Sequence, residues 1–189
     1  MTTSTKDCDD VLLLQYCELV LKIRDLHASQ PGNRHYRYLY NQSFYGFTGF
    51  LSPQISTSVS ERAHERYEMI RRLPSGKDLP TDMREVPWDL QPKFDKGRKV
   101  FHLEHVYTGD MFRTAAREIR DVQGLVRLVR DNYRVAWILK TEDQELNRNG
   151  FRSERGSSLK EALDAYSKSG IRLLGAPGAA VSPDRRSAQ

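Results

Sequence analysis

The chain has 189 residues, a mass of 21.9 kDa, a formal net charge of +5 at pH 7 and a pI near 9.2. A chain of this length can bury a hydrophobic core without disulfide or metal crosslinks. We expect residues 1–174 to form one globular domain, followed by a disordered tail over residues 175–189. The basic balance favours anionic partners, nucleic acid first, although a solubilising surface of interspersed acids and bases accounts for it equally well.

The two cysteines exclude a disulfide-stabilised class of fold. Cys8 and Cys17 lie in or beside the first predicted helix and nine residues apart, a spacing that points them to opposite sides of a straight helix, and neither has metal-ligand spacing. Asp7, Asp9 and Asp10 precede an apolar run that is too short and too interrupted for a signal peptide or a membrane span. We therefore expect a cytoplasmic protein without membrane contact.

The first predicted elements are a long amphipathic helix over residues 10–28 and an aromatic segment over residues 34–50. The aromatic side chains of that segment are Tyr36, Tyr38, Tyr40, Phe44, Tyr45, Phe47 and Phe50. Tyr36, Tyr38 and Tyr40 alternate, which predicts one face of a strand. With Arg34 and Arg37 beside Tyr38, the segment is also typical of a platform that stacks bases of single strands. The same residues suit a core or a sheet face.

The middle of the chain is predicted to hold a helix, a long loop and a strand. Ser58 or Ser60 caps the helix, and the loop over residues 74–97 is expected to be anchored by Trp88 and Phe94. The sequence RKVFHLEHVY over residues 98–107 alternates as a strand does. We expect this strand near the middle of a small sheet.

The last third is predicted to hold four helices and two strands. A helix runs from Thr108 or Asp110 to about Arg120, and Asp121 caps the next one. The remaining elements are a strand over residues 134–140, a helix capped by Thr141 with Gln144, a helix capped by Ser157 or Ser158, and a short strand over residues 171–174. Together these patterns predict an α+β fold of about five helices on a small β-sheet.

The chemically suggestive residues are His102, Glu104 and His105. On a strand, His102 and Glu104 face one way and His105 the other. Imidazole and carboxylate groups bind divalent metals, with Mg or Mn expected here and Zn as an alternative. The candidates for a further ligand are Asp95, Glu142, Asp143 and His64, and we assign Asp95 to the metal with Glu104 and His102. Either His105 is an inert core residue, or the strand ends at Glu104 and His105 turns towards the site, which is the reading we favour.

An acidic residue followed by histidine at the end of a strand resembles the opening motif of the His-Asn-His (ββα-metal) nucleases. The resemblance implies that His105 is the general base, that Glu104 is its acidic neighbour, and that Asn147 or Asn149 is the asparagine. In that family a hairpin follows the histidine, whereas the segment after Tyr107 predicts a helix. A second nuclease pattern would combine Asp95, Glu104 and Lys140 around magnesium.

Three arginines are spaced to line one face of a helix. Arg113, Arg117 and Arg120 follow each other at four and three residues, which suits a phosphate backbone or a solvated face paired with acids. We therefore expect a metal-dependent nuclease of DNA or RNA, of restriction or phage-conflict type, with His105, Glu104 and His102 as catalytic residues. The alternatives are a non-enzymatic nucleic-acid-binding or regulatory protein and a protein-binding adaptor.

Overall fold

The computed structural model describes residues 5–47 and 58–175, with the backbone alone for residues 5–10. These ranges hold eight α-helices and four short strands, so the predicted α+β class is confirmed and the count of about five helices is too low. The helices are α1 (Thr5–Ser29), α2 (Arg34–Ser43), α3 (Glu61–Arg71), α4 (Gln91–Phe94), α5 (Gly109–Ala116), α6 (Val122–Asn132), α7 (Lys140–Arg148) and α8 (Leu159–Lys168). The strands are β1 (Ser58–Ser60), β2 (Phe101–His105), β3 (Val135–Leu139) and β4 (Leu173–Leu174).

The four strands form one mixed sheet in the order β2-β3-β1-β4. Strand β3 is antiparallel to β2 and parallel to β1, and β1 is antiparallel to β4. Strand β2, which carries Glu104, is therefore an edge strand, and its predicted position near the middle of the sheet is wrong. Among the described strands, β1 is the one that the sequence patterns missed, because three residues are too few to show alternation.

The predicted strand through Tyr36, Tyr38 and Tyr40 is wrong, because this segment is helix α2. Asn33 caps the helix by accepting hydrogen bonds from the backbone N–H groups of His35 and Tyr36. Tyr40 and Phe44 are four residues apart and both are buried, which is the helical period. Phe50, at the end of the aromatic segment, lies outside the described residues.

Two hydrophobic clusters cover the two faces of the sheet. The larger cluster joins helices α1, α2, α5, α6 and α8 to Ala136 and Ile138 of β3. The smaller cluster joins α3 and the segment between α3 and β2 to Phe101 and Trp137. Within that segment, Phe94 packs edge-on against Phe101 as expected, but Trp88 is half exposed and does not act as a buried anchor.

Side chains fix where the helices next to the strands begin and end. Asp121 caps α6 and Ser158 caps α8 as predicted. Helix α5 ends at Ala116 instead of Arg120, and Arg24 of α1 donates hydrogen bonds to the backbone carbonyls of Ala116 and Ile119. Thr141 does not cap α7; the N-cap position is Leu139, whose backbone N–H donates to the carboxylate of Glu142.

The predicted tail lies outside the described residues apart from Gly175. No helix in the described part of the chain has both the length and the apolar character needed to cross a membrane.

Candidate metal site on the edge strand

Three side chains with metal-ligand atoms converge between β2 and α7. They are His102 and Glu104 of β2 and Asp143 of α7, and one ligand atom from each lies within 4.8 Å of the others. They line a cavity of about 450 Å³, whose wall also includes Asn147. The convergence follows from local structure, because alternate residues of β2 share a face and α7 begins directly after β3.

Glu104 is held from both sides by charged or chargeable partners. Its Oε1 accepts a hydrogen bond from Nη2 of Arg155 at 2.6 Å, and its Oε2 is 2.8 Å from Nε2 of His102. Burial opposes ionisation of the carboxyl group. The hydrogen bond from His102 and the positive charge of Arg155 outweigh burial and keep the pKa of Glu104 below its ordinary value. The hydrogen bond to Glu104 in turn raises the pKa of His102.

Arg155 is a buried cation that organises this edge of the sheet. Its side chain is 1% exposed, and its Nη1 donates to the backbone carbonyls of His105 at 2.9 Å and Val106 at 3.3 Å. The same nitrogen donates to the hydroxyl of Tyr166 at 3.0 Å, and Nε donates to the carbonyl of Phe151. Because these acceptors fix the guanidinium, Arg155 fixes the carboxylate of Glu104 in turn.

His105 lies within β2, paired with Val135, so the expectation that the strand ends at Glu104 is wrong. Its Nε2 is 3.0 Å from the hydroxyl of Tyr133, and its ring meets Tyr45 edge-on. The side chain nevertheless contributes to the same cavity wall as Glu104. Burial lowers the pKa of His105, so the neutral form of the imidazole is favoured.

Asp95, which the sequence assigned to the metal, is built into the turn before β2. Its carboxylate accepts hydrogen bonds from the backbone N–H groups of Lys99, Val100 and Phe101 and from Nε2 of Gln91. Asp95 is buried and lies outside the cluster of His102, Glu104 and Asp143. The structure therefore does not bring Asp95 together with His102 and Glu104, although the predicted ligand set and the pattern of Asp95, Glu104 and Lys140 both require it.

The other candidate ligands also have separate positions. Glu142 is buried, and its Oε2 accepts hydrogen bonds from the hydroxyl of Ser60 and the backbone N–H of Leu139. His64 lies on α3 and is not part of the cluster. Of the two candidate asparagines, Asn147 lines the cavity and Asn149 caps the end of α7.

The candidate nucleic-acid-binding residues are dispersed over two helices and a connection. Arg34, Arg37 and Tyr38 are exposed on α2. Arg113 is on α5 and pairs with Asp110. Arg117 and Arg120 are exposed beyond the end of that helix, so the three arginines do not form the predicted stripe on one helix.

Sequence reasoning missed Arg155 and did not single out Asp143 as a ligand. Asp143 is in the first turn of α7, where an acid is expected because it complements the helix dipole. Arg155 lies in an irregular segment between two helices, where no periodicity indicates which side chains are buried. Comparison with protein-family models, with curated proteins and with solved structures finds no match for this chain.

Proposed function

We propose that this protein is a metal-dependent nuclease whose metal site is formed by His102, Glu104 and Asp143. The observation that carries the proposal is the convergence of these three side chains in one cavity. An imidazole and two carboxylates are a ligand set suited to Mn or Zn, and the carboxylates also suit Mg. The basic chain provides attraction for a polyanionic substrate.

In a nuclease of the ββα-metal type, strands β2 and β3 and helix α7 would be the two strands and the helix of the ββα unit. Strands β2 and β3 are antiparallel neighbours, and α7 follows β3 at once. Helices α5 and α6 lie between the two strands in sequence, and in this proposal they would be a large insertion into the hairpin of that family. In this reading, His102, Glu104 and Asp143 would hold the ion, and His105 in the same cavity wall would be the general base.

The charge of the cavity is compatible with one divalent cation. With His102 neutral, the carboxylates of Glu104 and Asp143 and the guanidinium of Arg155 leave one net negative charge, and Asp110 and Arg152 of the cavity wall offset each other. A divalent ion here would lower the pKa of a bound water and neutralise charge on the phosphodiester. Asp143 accepts no hydrogen bond from residues 5–47 or 58–175, so its carboxylate is available as a ligand.

One observation favours a second candidate, a nucleic-acid-binding protein without activity. Both carboxylate oxygens of Glu104 are already bound, one by Arg155 and the other by His102. A cation attached to a carboxylate reduces the affinity of that carboxylate for a metal. The network could then serve stability alone.

Cleavage assays with purified protein distinguish the two candidates. Supercoiled plasmid and a labelled single-stranded RNA are incubated with Mg, Mn or Zn, with an excess of EDTA as the control. We expect metal-dependent cleavage that Asp143→Asn lowers by at least about tenfold and His105→Ala lowers by about 100-fold or more.

The matched control is Asp164→Asn, which removes an exposed carboxylate of α8 away from the cavity wall. This variant should cleave as the wild type does. Binding of nucleic acid without cleavage in any of the metals would favour the second candidate. Absence of binding at low salt would contradict both.

A further inference from the structure

We infer that the surface formed by residues 88–99 binds single-stranded nucleic acid, with Trp88 stacking on a base and the neighbouring cations contacting phosphates. This surface lies outside the cavity of His102, Glu104 and Asp143. Binding there requires neither metal nor cleavage, so the inference goes beyond the proposed function and does not depend on it.

The chain has two tryptophans, and Trp88 is the exposed one. It is 51% exposed, whereas Trp137 is completely buried in the smaller hydrophobic cluster. The guanidinium carbon of Arg98 lies 3.4 Å from the centroid of the Trp88 ring. Half of a large aromatic residue thus remains in contact with water, and such a surface is what unpaired bases stack upon.

Arg98 is presented in a way that leaves its donors available. A guanidinium stacked on an aromatic ring uses its π face, and its N–H groups still point outwards in the plane. Within residues 5–47 and 58–175, Arg98 forms no ion pair and its side chain donates no hydrogen bond. The combination of a stacked cation and free planar donors suits a phosphate next to a stacked base.

The backbone of this turn is fixed in an unfavourable conformation. Arg98 has a φ of 51°, in the left-handed region that non-glycine residues seldom adopt. The backbone N–H of Arg98 donates to the carbonyl of Asp95, and the buried carboxylate of Asp95 accepts from the next three backbone N–H groups. The turn is therefore held rigidly enough to keep Arg98 on the indole.

The charge of residues 88–99 is positive on balance, because four cations outnumber the exposed Asp89 and the buried Asp95. Lys93, Lys96 and Lys99 are exposed and, in the part of the chain that the structure describes, none forms a salt bridge. The acid between them, Asp95, is turned inwards to the backbone. A stacking ring beside several free cations favours a single strand over a duplex, because a paired base has no free face to offer.

The test measures binding of labelled dT and U oligomers of about 15 nucleotides in EDTA. Intrinsic fluorescence reports the contact directly, because Trp137 is buried and Trp88 is accessible. We expect oligomer binding to quench the emission and to protect Trp88 from iodide. Trp88→Leu should weaken binding by about 5- to 150-fold, while Trp88→Phe, which retains a ring, should recover most of it.

The cations are tested through the dependence of affinity on salt. The triple variant Lys93→Gln, Lys96→Gln, Lys99→Gln should reduce the slope of log affinity against log salt by about 2. The matched control, Lys77→Gln, Lys160→Gln, Lys168→Gln, removes the same charge from other exposed positions. It should leave the slope nearly unchanged.

Circular dichroism and thermal melting establish that each variant is folded, and the quenching measurement on wild type needs no variant. Equal loss in both triple variants would overturn the inference, since binding would then follow net charge alone. It is also overturned if Tyr38→Leu on α2 weakens binding while Trp88→Leu does not. Equal affinity and equal quenching with vesicles of anionic lipid would identify a general anion surface and overturn it as well.

Discussion

Replacing Arg155 with methionine is the most informative test of the charged network on β2. Methionine retains a long flexible apolar side chain in the space of the arginine stem. It removes the cation that pairs with Glu104 and the donor to the carbonyl of His105. Since the arginine side chain is 1% exposed and that of Glu104 14% exposed, water cannot readily replace the lost contacts.

The magnitude follows from leaving one partner of a buried ion pair alone. Such changes cost about 3–5 kcal/mol of unfolding free energy. For a chain of this length that corresponds to a fall in Tm of about 6–20 °C. Urea denaturation followed by circular dichroism measures the free energy, and Arg172→Met is the matched control. Arg172 pairs with Glu61 on the surface, where both side chains are about half exposed, so its loss should cost no more than about 1 kcal/mol.

The dependence on pH separates the charge effect from lost packing. In the wild type, the lowered pKa of Glu104 contributes stability above the unfolded pKa, and that contribution is lost as the pH falls through the folded pKa. In Arg155→Met, the buried carboxylate lacks its cation and destabilises the fold until it is protonated. The difference between wild type and variant should therefore narrow from pH 7 to pH 4. A cost below about 1 kcal/mol at pH 7, or a cost that does not change with pH, would refute this account.

Three further predictions concern other groups around the sheet. Ser60→Ala removes the hydroxyl that donates to the buried Glu142 at 2.5 Å and should cost about 1–3 kcal/mol in urea denaturation. Asp95→Asn should cost a similar amount at pH 7. Burial disfavours the charged form of Asp95, but hydrogen bonds from the backbone and from Gln91 lower its pKa. The cost of Asp95→Asn should therefore shrink below about pH 4. A cost that stays constant with pH would contradict this prediction. Because the raised pKa of His102 lets protons compete with a metal, Mn affinity measured by calorimetry should fall as the pH drops from 8 to 6; an unchanged affinity would remove His102 from the ligands.

The local elements of this fold follow from the sequence, whereas the assembly of the site does not. Asp121 and Ser158 begin helices because a side-chain acceptor next to an amphipathic run is a local signal. The strand prediction for the aromatic segment was wrong because two spacings fit it. Tyr36, Tyr38 and Tyr40 alternate as on a strand, and Tyr36 and Tyr40 are also four residues apart, as on one face of a helix. The capping residue Asn33 carried the information that resolves this ambiguity.

The site itself depends on contacts between distant parts of the chain. Glu104 is 39 residues from Asp143 and 51 from Arg155. Residues 106–134, with α5 and α6, separate the two strands that pair. No periodicity in the sequence indicates that β2 and β3 are neighbours. Asp143 did not stand out as a ligand, because an acid in the first turn of a helix is expected from the helix dipole. His102 and Glu104 could be selected by residue type, but their partners could not.

The position of β2 at the sheet edge links the stability of the fold to the geometry of the site. An edge strand exposes backbone groups that must be satisfied or covered. Gln91 donates to the carbonyl of Phe101, Asp95 accepts from its N–H, and Arg155 donates to the carbonyl of His105. Arg155, which covers the His105 end of this edge, therefore also holds Glu104. Asp95, which covers the Phe101 end, also fixes the turn that carries Arg98. Substitutions that loosen the edge should therefore disturb the candidate metal site and the Trp88 surface before they unfold the core.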